Sequence, residues 1–390
     1  MRLLSAHFVI PADGRVIKNG IVHLSDKGEV LKVEAPEKIK EQAKLEFYNG
    51  VIVPGFVNVH CHLELSHLWK KISKGRGMVN FIESLQANRN ASHEIVEKAI
   101  ENANNQMIQE GIVLVGDISN SDLSFSIKKR SKIKYHTFVE VFSSDPKQAN
   151  KVFQRAQVIQ NILDDMKLEG NIVPHSPYSV SDNLFTLIKK NIKENQVYCI
   201  HNQESKAESD FFLKGEGDFI PFFKKQGIDP GLKESGHSSP IGIMKYLPKK
   251  ENIIFVHNTY STREDIQQIR NITENCYWCL CPGSNLYIEK KLPNMDVFTD
   301  VLHNVCIGTD SLASNEKLSV LQEMYILQKN LNLKLDSLVE MATINGAKAL
   351  IKDSRYGSIE EGKKPGVNLI ENIDFTNFSL TEKSTVKRLD

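Results

Sequence analysis

The sequence lacks the features that mark several common classes of protein. No uninterrupted apolar run approaches the roughly 18–20 residues that a membrane helix needs. The apolar part of the N-terminus is too short for a signal peptide, and six cysteines in 390 residues do not make a disulfide framework. We therefore expect a cytoplasmic protein with reduced thiols. A formal net charge of +1 gives no reason to expect nucleic acid or a membrane surface as a partner.

Several catalytic and nucleotide-binding motifs are also absent. The chain has no Gly-x-Gly-x-x-Gly fingerprint, no Walker loop, no Gly-x-Ser-x-Gly elbow and no His-Glu-x-x-His helix. The cytidine deaminase signature, which joins His-x-Glu to Pro-Cys-x-x-Cys, is missing too. Cys276, Cys279 and Cys281 have no matching partner at that spacing, so we interpret them as small apolar residues of a strand.

The pattern of apolar residues predicts the architecture. The first fifty residues carry short alternating segments broken by turns, which predicts a small β-rich unit. From Val51 to about Leu350, short apolar runs alternate with amphipathic stretches, and eight such runs predict an α/β fold of the (β/α)8 TIM-barrel type. A miscount of three strands would leave a doubly wound sheet as the alternative. The runs are Val51–His62, Ile112–Gly116, Tyr135–Val141, Ile172–Pro174, Val197–Ile200, Ile253–Val256, Tyr277–Leu280 and Val305–Ile307.

The stretch Tyr356–Ile370 returns to turn-rich, strand-like sequence. We expect it to pair with the N-terminal unit, so that a small β-sandwich-like domain is split across the barrel. The predicted domains are therefore residues 1–50 with 355–390 for the small domain, and residues 51–354 for the barrel.

Two histidines, His60 and His62, close the first apolar run. Residues two apart on a strand point to the same face, so both imidazoles emerge together at the carboxyl end of the strand. That end carries the chemistry in a parallel α/β barrel. Paired neutral imidazoles suit a transition metal such as Zn²⁺, and this pair therefore predicts a metal site.

Other predicted strands end in groups that could complete such a site. The fifth run ends at His201, with Glu204 three residues later, and the sixth ends at His257. The eighth run is followed by Asp310. One histidine after an apolar run is more often a core residue than a ligand. Several at the strand ends of one barrel favour a metal site by a wide margin.

The chain resembles the amidohydrolase superfamily, in its mononuclear aminohydrolase branch of deaminases and chlorohydrolases. The resemblance covers nearly the whole chain, with its motifs in the same order. The motifs are Pro54-Gly-Phe-Val-Asn-Val-His-Cys-His-Leu-Glu64, His175-Ser-Pro-Tyr-Ser179, His201-Asn-Gln-Glu204, Val256-His257, Cys281-Pro-Gly-Ser-Asn285, Gly308-Thr-Asp-Ser-Leu-Ala-Ser-Asn315, Ala342-Thr-Ile-Asn-Gly-Ala-Lys-Ala-Leu350 and Gly357-Ser-Ile-Glu-Glu-Gly-Lys363.

The resemblance implies one divalent metal per chain, with zinc favoured and iron or manganese as alternatives. It implies that the ligands are His60, His62, His201 and Asp310. Binuclear relatives carry a carboxylated lysine at the end of the fourth strand, where this chain has His175, and this favours one metal over two.

The resemblance also implies the catalytic roles. Asp310 would take a proton from the attacking water, and Glu204 would carry a proton to the ring nitrogen of the substrate. His257 would hold the attacking oxygen and stabilise the tetrahedral adduct.

A shorter submotif narrows the substrate. His-x-His-Leu-Glu-x-Ser with a following Phe81-Ile82 resembles aminodeoxyfutalosine deaminases, which serve an alternative menaquinone route. Glu64, His175 and Tyr178 are the predicted substrate contacts. The basic run Lys70–Arg76 could meet a substrate carboxylate, although a lysine run is usually a solvated loop. Further candidates for shaping the pocket are Arg89 and the loop from Gly215 to Gly236.

Several alternatives remain at the level of sequence. Deaminases of S-adenosylhomocysteine or methylthioadenosine and s-triazine chlorohydrolases share the same metal site. A catalytically silent scaffold of the same fold is the alternative from a different class. We expect a small-molecule substrate, no nucleic acid or membrane partner, and the resemblance allows a homodimer.

Overall fold

The apolar runs of the middle of the chain form eight strands in two parallel sheets of four. We describe them from a computed structural model, which covers residues 1–36, 44–228 and 236–390. In chain order these barrel strands, called first to eighth below, are Phe56–Cys61, Ile112–Ser119, Lys134–Val141, Glu169–Pro174, Val197–Asn202, Asn252–His257, Cys276–Leu280 and Val305–Ile307.

Backbone hydrogen bonds join the two sheets at both seams. Between the fourth and fifth strands, the N–H of His201 donates to the carbonyl oxygen of His175 at 2.9 Å. Between the eighth and first, the N–H groups of Thr309 and Asp310 both donate to the carbonyl oxygen of His60 at 3.0 Å. The seams therefore bring three predicted ligands, His60, His201 and Asp310, to the same end of the strands.

Helices and short 3₁₀ turns connect the strands. The α-helices are Met78–Asn88, His93–Gln109, Phe125–Arg130, Ala149–Asp165, Asp182–Asn191, Lys206–Lys214, Phe219–Lys225, Ser239–Gly242, Arg263–Arg270, Pro282–Glu289, Val320–Leu331, Leu335–Ala342 and Ile344–Ala349. The 3₁₀ turns are Leu63–Leu68, Pro146–Gln148, Met244–Tyr246 and Met295–Asn304. Within the described residues, no helix combines the length and the apolar character needed to cross a membrane.

Helix His93–Gln109 shows how the sequence specifies these elements. The Ser92 side chain accepts a hydrogen bond from the N–H of Ile95, which caps the first turn. The apolar residues then recur three or four positions apart and share one buried face, which packs toward the barrel. They are Val96, Ile100, Ala103 and Met107.

A third sheet, with seven strands, is built from both ends of the sequence. Strand Leu45–Pro54 lies near its centre, parallel to Arg2–Val9 on one side and antiparallel to Val367–Glu371 on the other. The remaining strands are Ile17–Lys18, Ile21–Leu24, Val30–Glu34 and Thr385–Arg388. The pairing matches the expectation for Tyr356–Ile370, whereas the domain limits at residues 50 and 355 stay a prediction.

The prediction of a single strand over Val51–His62 is wrong. Val51–Pro54 ends a strand of the seven-stranded sheet, and the first barrel strand begins at Phe56. Gly55 separates the two strands at a place without room for a side chain. A Cβ atom there would lie 2.5 Å from the carbonyl oxygen of Pro365. One continuous apolar run therefore serves two sheets, since every residue of Val51–Pro54 and of Phe56–Cys61 is buried.

Candidate active site

Three imidazole nitrogens and one carboxylate oxygen converge at the carboxyl end of the barrel. His62 Nε2 lies 3.0 Å from His60 Nε2 and 3.3 Å from His201 Nε2. Asp310 Oδ1 lies 3.4 Å from His62 Nε2 and 3.6 Å from His60 Nε2. The four predicted ligands are thus brought together in one buried cluster.

The protonation of these histidines shows that the cluster fits a metal ion. His201 Nδ1 lies 2.8 Å from the carbonyl oxygen of His175, which can only accept, so the proton is on Nδ1. Burial lowers the pKa of both His62 and His201 well below the usual value, so the rings are neutral. The lone pair of His201 Nε2 therefore faces the other ring nitrogens. A central cation removes this repulsion, and ligands about 2.0–2.2 Å from Zn²⁺ would have this spacing.

Asp310 is oriented by two hydroxyl groups. Its Oδ2 atom accepts hydrogen bonds from Ser284 Oγ at 2.6 Å and from Ser314 Oγ at 2.5 Å. Burial raises the pKa of Asp310, but its interactions with His60 and His62 outweigh burial and hold the pKa well below the usual range. Asp310 is therefore an ionised carboxylate whose Oδ1 atom faces the histidine cluster.

Glu204 and His257 lie beside the ligands and differ from them in protonation. The His257 Nδ1–H donates to Asn285 Oδ1 at 2.9 Å, which leaves the lone pair of Nε2 without a hydrogen-bond partner. Burial raises the pKa of Glu204 well above the usual value, and the charge of Asp310 adds to this. Burial also lowers the pKa of His257 to about 4. Burial therefore favours a protonated Glu204 beside the free acceptor of His257.

Glu208 holds the turn that carries Glu204. Its carboxylate accepts hydrogen bonds from the N–H groups of Gln203 and Glu204, both at 3.0 Å, and a further one from Ser239 Oγ at 2.5 Å. Gln203 has φ +47°, a conformation that a non-glycine residue adopts rarely. The Glu208 carboxylate thus stabilises a strained backbone and fixes the direction of Glu204.

The three predicted substrate contacts occupy different surroundings. Both oxygens of Glu64 already accept hydrogen bonds, from Asn120 N at 3.0 Å and from Ser121 N at 3.1 Å and Ser121 Oγ at 2.8 Å. His175 packs against His201 with ring centroids 4.6 Å apart. Tyr178 is buried in an aromatic cluster and stacks on Phe219 at 4.4 Å. His175 is the closest of the three to the metal-ligand cluster.

A cavity of about 560 Å³ opens at the ends of the first three barrel strands. The polar residues of its lining include Glu64, Arg89, Asn120, Glu140 and Arg155. Apolar side chains complete the lining, among them Leu123, Val141, Phe142, Val152 and Ile159. None of the four predicted metal ligands lines this cavity, but Glu140 Oε1 lies 3.6 Å from His201 Nδ1 and so connects the cavity to the cluster. A cavity with apolar walls and a few polar groups is typical of a binding site for a small molecule.

Comparison with known proteins identifies the family. The family model described as "Amidohydrolase family" matches residues 51–388. The chain belongs to the amidohydrolase family. It is similar to an adenosine deaminase of Helicobacter pylori, 28% identical over 348 residues that span 87% of this chain and 81% of the relative. It is also similar to an aminodeoxyfutalosine deaminase of Nitratiruptor, 27% identical over 340 residues that span 83% and 79%.

Solved structures show that this amidohydrolase has the TIM-type barrel predicted from sequence. The crystal structure of Helicobacter pylori aminofutalosine deaminase in complex with methylthio-coformycin matches with a TM-score of 0.81 and 23% identity, covering 98% of this chain and 94% of that one. An adenosine deaminase from Xanthomonas campestris with bound zinc matches with a TM-score of 0.75 and 19% identity, covering 97% and 86%. The predicted class, a hydrolase that acts on carbon–nitrogen bonds, is confirmed.

The other sequence candidates fall at different places in the amidohydrolase. Arg89 lines the cavity, but no residue of the basic run Lys70–Arg76 does. Lys74 forms an ion pair with Glu316 on the outside. The segment from Gly215 to Gly236 is not simply a loop, because it contains helix Phe219–Lys225, whose aromatic residues cover Tyr178. Residues 229–235 of that segment lie outside the described residues.

Sequence reasoning missed a buried ion pair beneath the metal ligands. Lys128 Nζ lies 2.6 Å from Asp117 Oδ2, and neither side chain is exposed to solvent. The other oxygen of Asp117 accepts a hydrogen bond from the N–H of Leu63 at 2.8 Å. The pair therefore fixes the backbone directly after His62. Asp117 directly follows the apolar run Ile112–Gly116, whereas Lys128 lies beside Lys129 and Arg130, and nothing in this sequence indicates that the two residues pair.

Proposed function

We propose that this amidohydrolase is a metal-dependent deaminase that replaces the amino group of an aminopurine nucleoside with oxygen and releases ammonia. The observation that carries the proposal is the position of Glu204 Oε1, which lies 3.4 Å from the free Nε2 of His257 and beside the three-histidine, one-aspartate cluster. This arrangement offers a proton donor, an acceptor and a place for a Lewis acid within one buried site.

His60, His62, His201 and Asp310 would hold the metal, for which we favour zinc. A divalent ion bound there supplies Lewis acidity, which makes water a stronger nucleophile at neutral pH. Zinc is favoured because imidazole and carboxylate ligands suit it, and zinc is bound in the adenosine deaminase from Xanthomonas campestris.

Different side chains carry out the individual proton transfers of the reaction. Asp310 Oδ1 accepts a proton from the attacking water, because it is ionised and faces the ligand cluster. His257 Nε2 accepts a hydrogen bond from that water and fixes its direction of approach. Glu204 donates its proton to the ring nitrogen beside the carbon under attack, so that charge does not build up on the ring. The proton taken from water then completes the ammonia that leaves, and the hydroxyl proton of the adduct returns to Glu204 as the carbonyl group forms.

Aminodeoxyfutalosine is the substrate that we favour. The support is the Leu63-Glu-x-Ser submotif and the similarity to the Nitratiruptor aminodeoxyfutalosine deaminase and to the Helicobacter pylori aminofutalosine deaminase. This substrate would place the enzyme in menaquinone biosynthesis. Glu64, His175 and Tyr178 stay the predicted substrate contacts.

A deaminase of methylthioadenosine or S-adenosylhomocysteine is the second candidate. Such a deaminase of Clostridium tetani is 24% identical over 376 residues, which span 91% of this chain and 81% of the relative. The s-triazine chlorohydrolases are related through the fold, with 14% identity. A catalytically silent scaffold is disfavoured, because the four ligands, Glu204 and His257 are all present and adjacent.

The test is ammonia release by the metal-loaded protein from aminodeoxyfutalosine, adenosine, methylthioadenosine, S-adenosylhomocysteine, guanine, cytosine and melamine. We expect the highest kcat/KM with aminodeoxyfutalosine. Preference for another nucleoside would support the proposed deamination but contradict a role in menaquinone biosynthesis. A protein that holds its metal and releases no ammonia from any of these compounds would contradict the proposed function.

A further inference from the structure

Glu140 is a buried carboxylate that the mechanism does not use. It lies at the end of the third barrel strand, and only 7% of the residue is exposed. Its Oε2 atom accepts a hydrogen bond from Asn120 Nδ2 at 3.0 Å, whereas its Oε1 atom has no hydrogen-bond partner. A buried carboxylate oxygen without a donor is costly, so a donor on a bound molecule is the natural partner.

Orienting the His201 ring does not explain why the Glu140 carboxylate is buried beside it. Oε1 lies 3.6 Å from His201 Nδ1, which is beyond a normal hydrogen bond. The Nδ1 proton is already donated to the carbonyl oxygen of His175 at 2.8 Å. The backbone of His175 therefore sets the orientation of the His201 ring, and Glu140 keeps a free acceptor next to it.

Glu140 also differs from Glu64, the other carboxylate of the cavity. Glu64 accepts three hydrogen bonds from Asn120 and Ser121, so both of its oxygens are occupied. Asn120 links the two carboxylates, and Arg89 Nη2 donates to Asn120 Oδ1 at 2.9 Å. Glu140 Oε1 is thus the unoccupied acceptor of a network whose other members are held in place.

We propose that Glu140 binds the sugar of the nucleoside, with Oε1 accepting a hydrogen bond from a ribose hydroxyl. The proposal rests on the proposed deaminase function. In an aminopurine nucleoside the sugar is attached at the opposite side of the purine from the amino group. Glu204, His257 and Asp310 lie at or just after the ends of strands five, six and eight. With the amino-bearing ring between them, the sugar would point across the barrel toward strands one to three, where Glu140 lines the cavity.

The test compares the parent enzyme with a Glu140 variant on substrates that have or lack individual ribose hydroxyl groups. The parent and Glu140→Gln are assayed with aminodeoxyfutalosine, adenosine, 2′-deoxyadenosine and 3′-deoxyadenosine, with metal content measured in parallel. The amide introduced by this substitution keeps an oxygen for Asn120 and presents an N–H₂ group where Oε1 was. The matched control is Glu101→Gln, a half-exposed glutamate that pairs with Arg130 on the surface.

We expect Glu140→Gln to lower kcat/KM for adenosine about 10- to 100-fold, mainly through KM, as for a lost hydrogen bond to a charged group. The same variant should lose little with the deoxy substrate that lacks the recognised hydroxyl, and metal content should equal that of the parent. Equal losses on all substrates, or loss of metal, would overturn the proposal and give Glu140 a role in positioning His201. A parent without nucleoside deaminase activity would instead contradict the proposed function.

Discussion

Glu204 Oε1 lies 3.4 Å from His257 Nε2, and burial favours the uncharged form of both groups. A proton on the Glu204 carboxyl group could be given to a substrate ring nitrogen. Asp310, the proposed ligand nearby, has its pKa lowered by its interactions with His60 and His62, which favours the carboxylate. The different neighbours of Glu204 and Asp310 thus shift the pKa values of these two carboxyl groups in opposite directions.

Replacing Glu204 with Gln should leave the metal bound and remove most of the turnover. The amide has nearly the same shape but no transferable proton, so we expect kcat to fall about 10²- to 10⁴-fold. Turnover and metal per chain are measured together, and Glu216→Gln on the exposed surface serves as the control. Normal turnover by the Glu204 variant would show that another group carries the proton.

Replacing Asp310 with Ala should weaken metal retention and activity together. The change removes one of four ligands and leaves the hydroxyl groups of Ser284 and Ser314 without their acceptor. The measurement is metal per chain after dialysis against a chelator, followed by kcat with excess zinc restored. A variant that keeps full activity and tightly held metal would eliminate Asp310 as a ligand.

Arg89 and Arg155 give a test of the substituent that the nucleoside carries. Their guanidinium groups line the cavity and would bind a carboxylate more strongly than a neutral group. Arg89→Ala should therefore lower kcat/KM for aminodeoxyfutalosine about 10-fold more than for adenosine, as for the loss of one charge-assisted contact. Arg130→Ala, outside the cavity, is the control. Equal losses on both substrates would mean that Arg89 acts only through Asn120.

Deprotonation of Glu208 should lower the free energy of unfolding of the protein as the pH rises. Burial raises its pKa to about 7, although three hydrogen bonds oppose the rise, whereas an unfolded glutamate titrates near 4.3. The folded state therefore binds the proton more tightly. The stabilisation is complete below about pH 4 and is lost as the pH rises to about 7, a change of about 3 kcal/mol.

Urea unfolding of the parent and of Glu208→Gln at pH 5, 6 and 7 isolates this contribution. The amide does not titrate, so the free energy of unfolding of the parent should fall relative to that of the variant as the pH increases. Parallel pH profiles for the two proteins would show that Glu208 is ionised throughout this range.

The barrel and the ligand cluster were predictable because both depend on local patterns. Short apolar runs mark buried strands, and His60, His62, His201 and Asp310 mark the ends of these strands directly in sequence. A barrel gathers its strand ends at one place, so no long-range information was needed to expect that these side chains meet.

Glu140 and Glu208 were not predictable in the same way. Glu140 is followed by the apolar pair Val141-Phe142, so its position in sequence looks like the middle of a buried run rather than its end. Its partner Asn120 follows the preceding strand. Glu208 lies in an ordinary helical turn, and its role depends on a backbone conformation at Gln203 that the sequence does not reveal.

Strand Leu45–Pro54 leads through Gly55 directly into the strand that carries His60 and His62, and it pairs with Val367–Glu371. All four proposed metal ligands, up to Asp310, are therefore synthesised before Val367–Glu371. That segment is one of the two neighbours of the strand that leads into the His60 strand. We expect nascent chains that stop before Val367 to leave strand Leu45–Pro54 without one of its two neighbours. The segment that leads into the first barrel strand would then be fixed only once Val367–Glu371 has been synthesised.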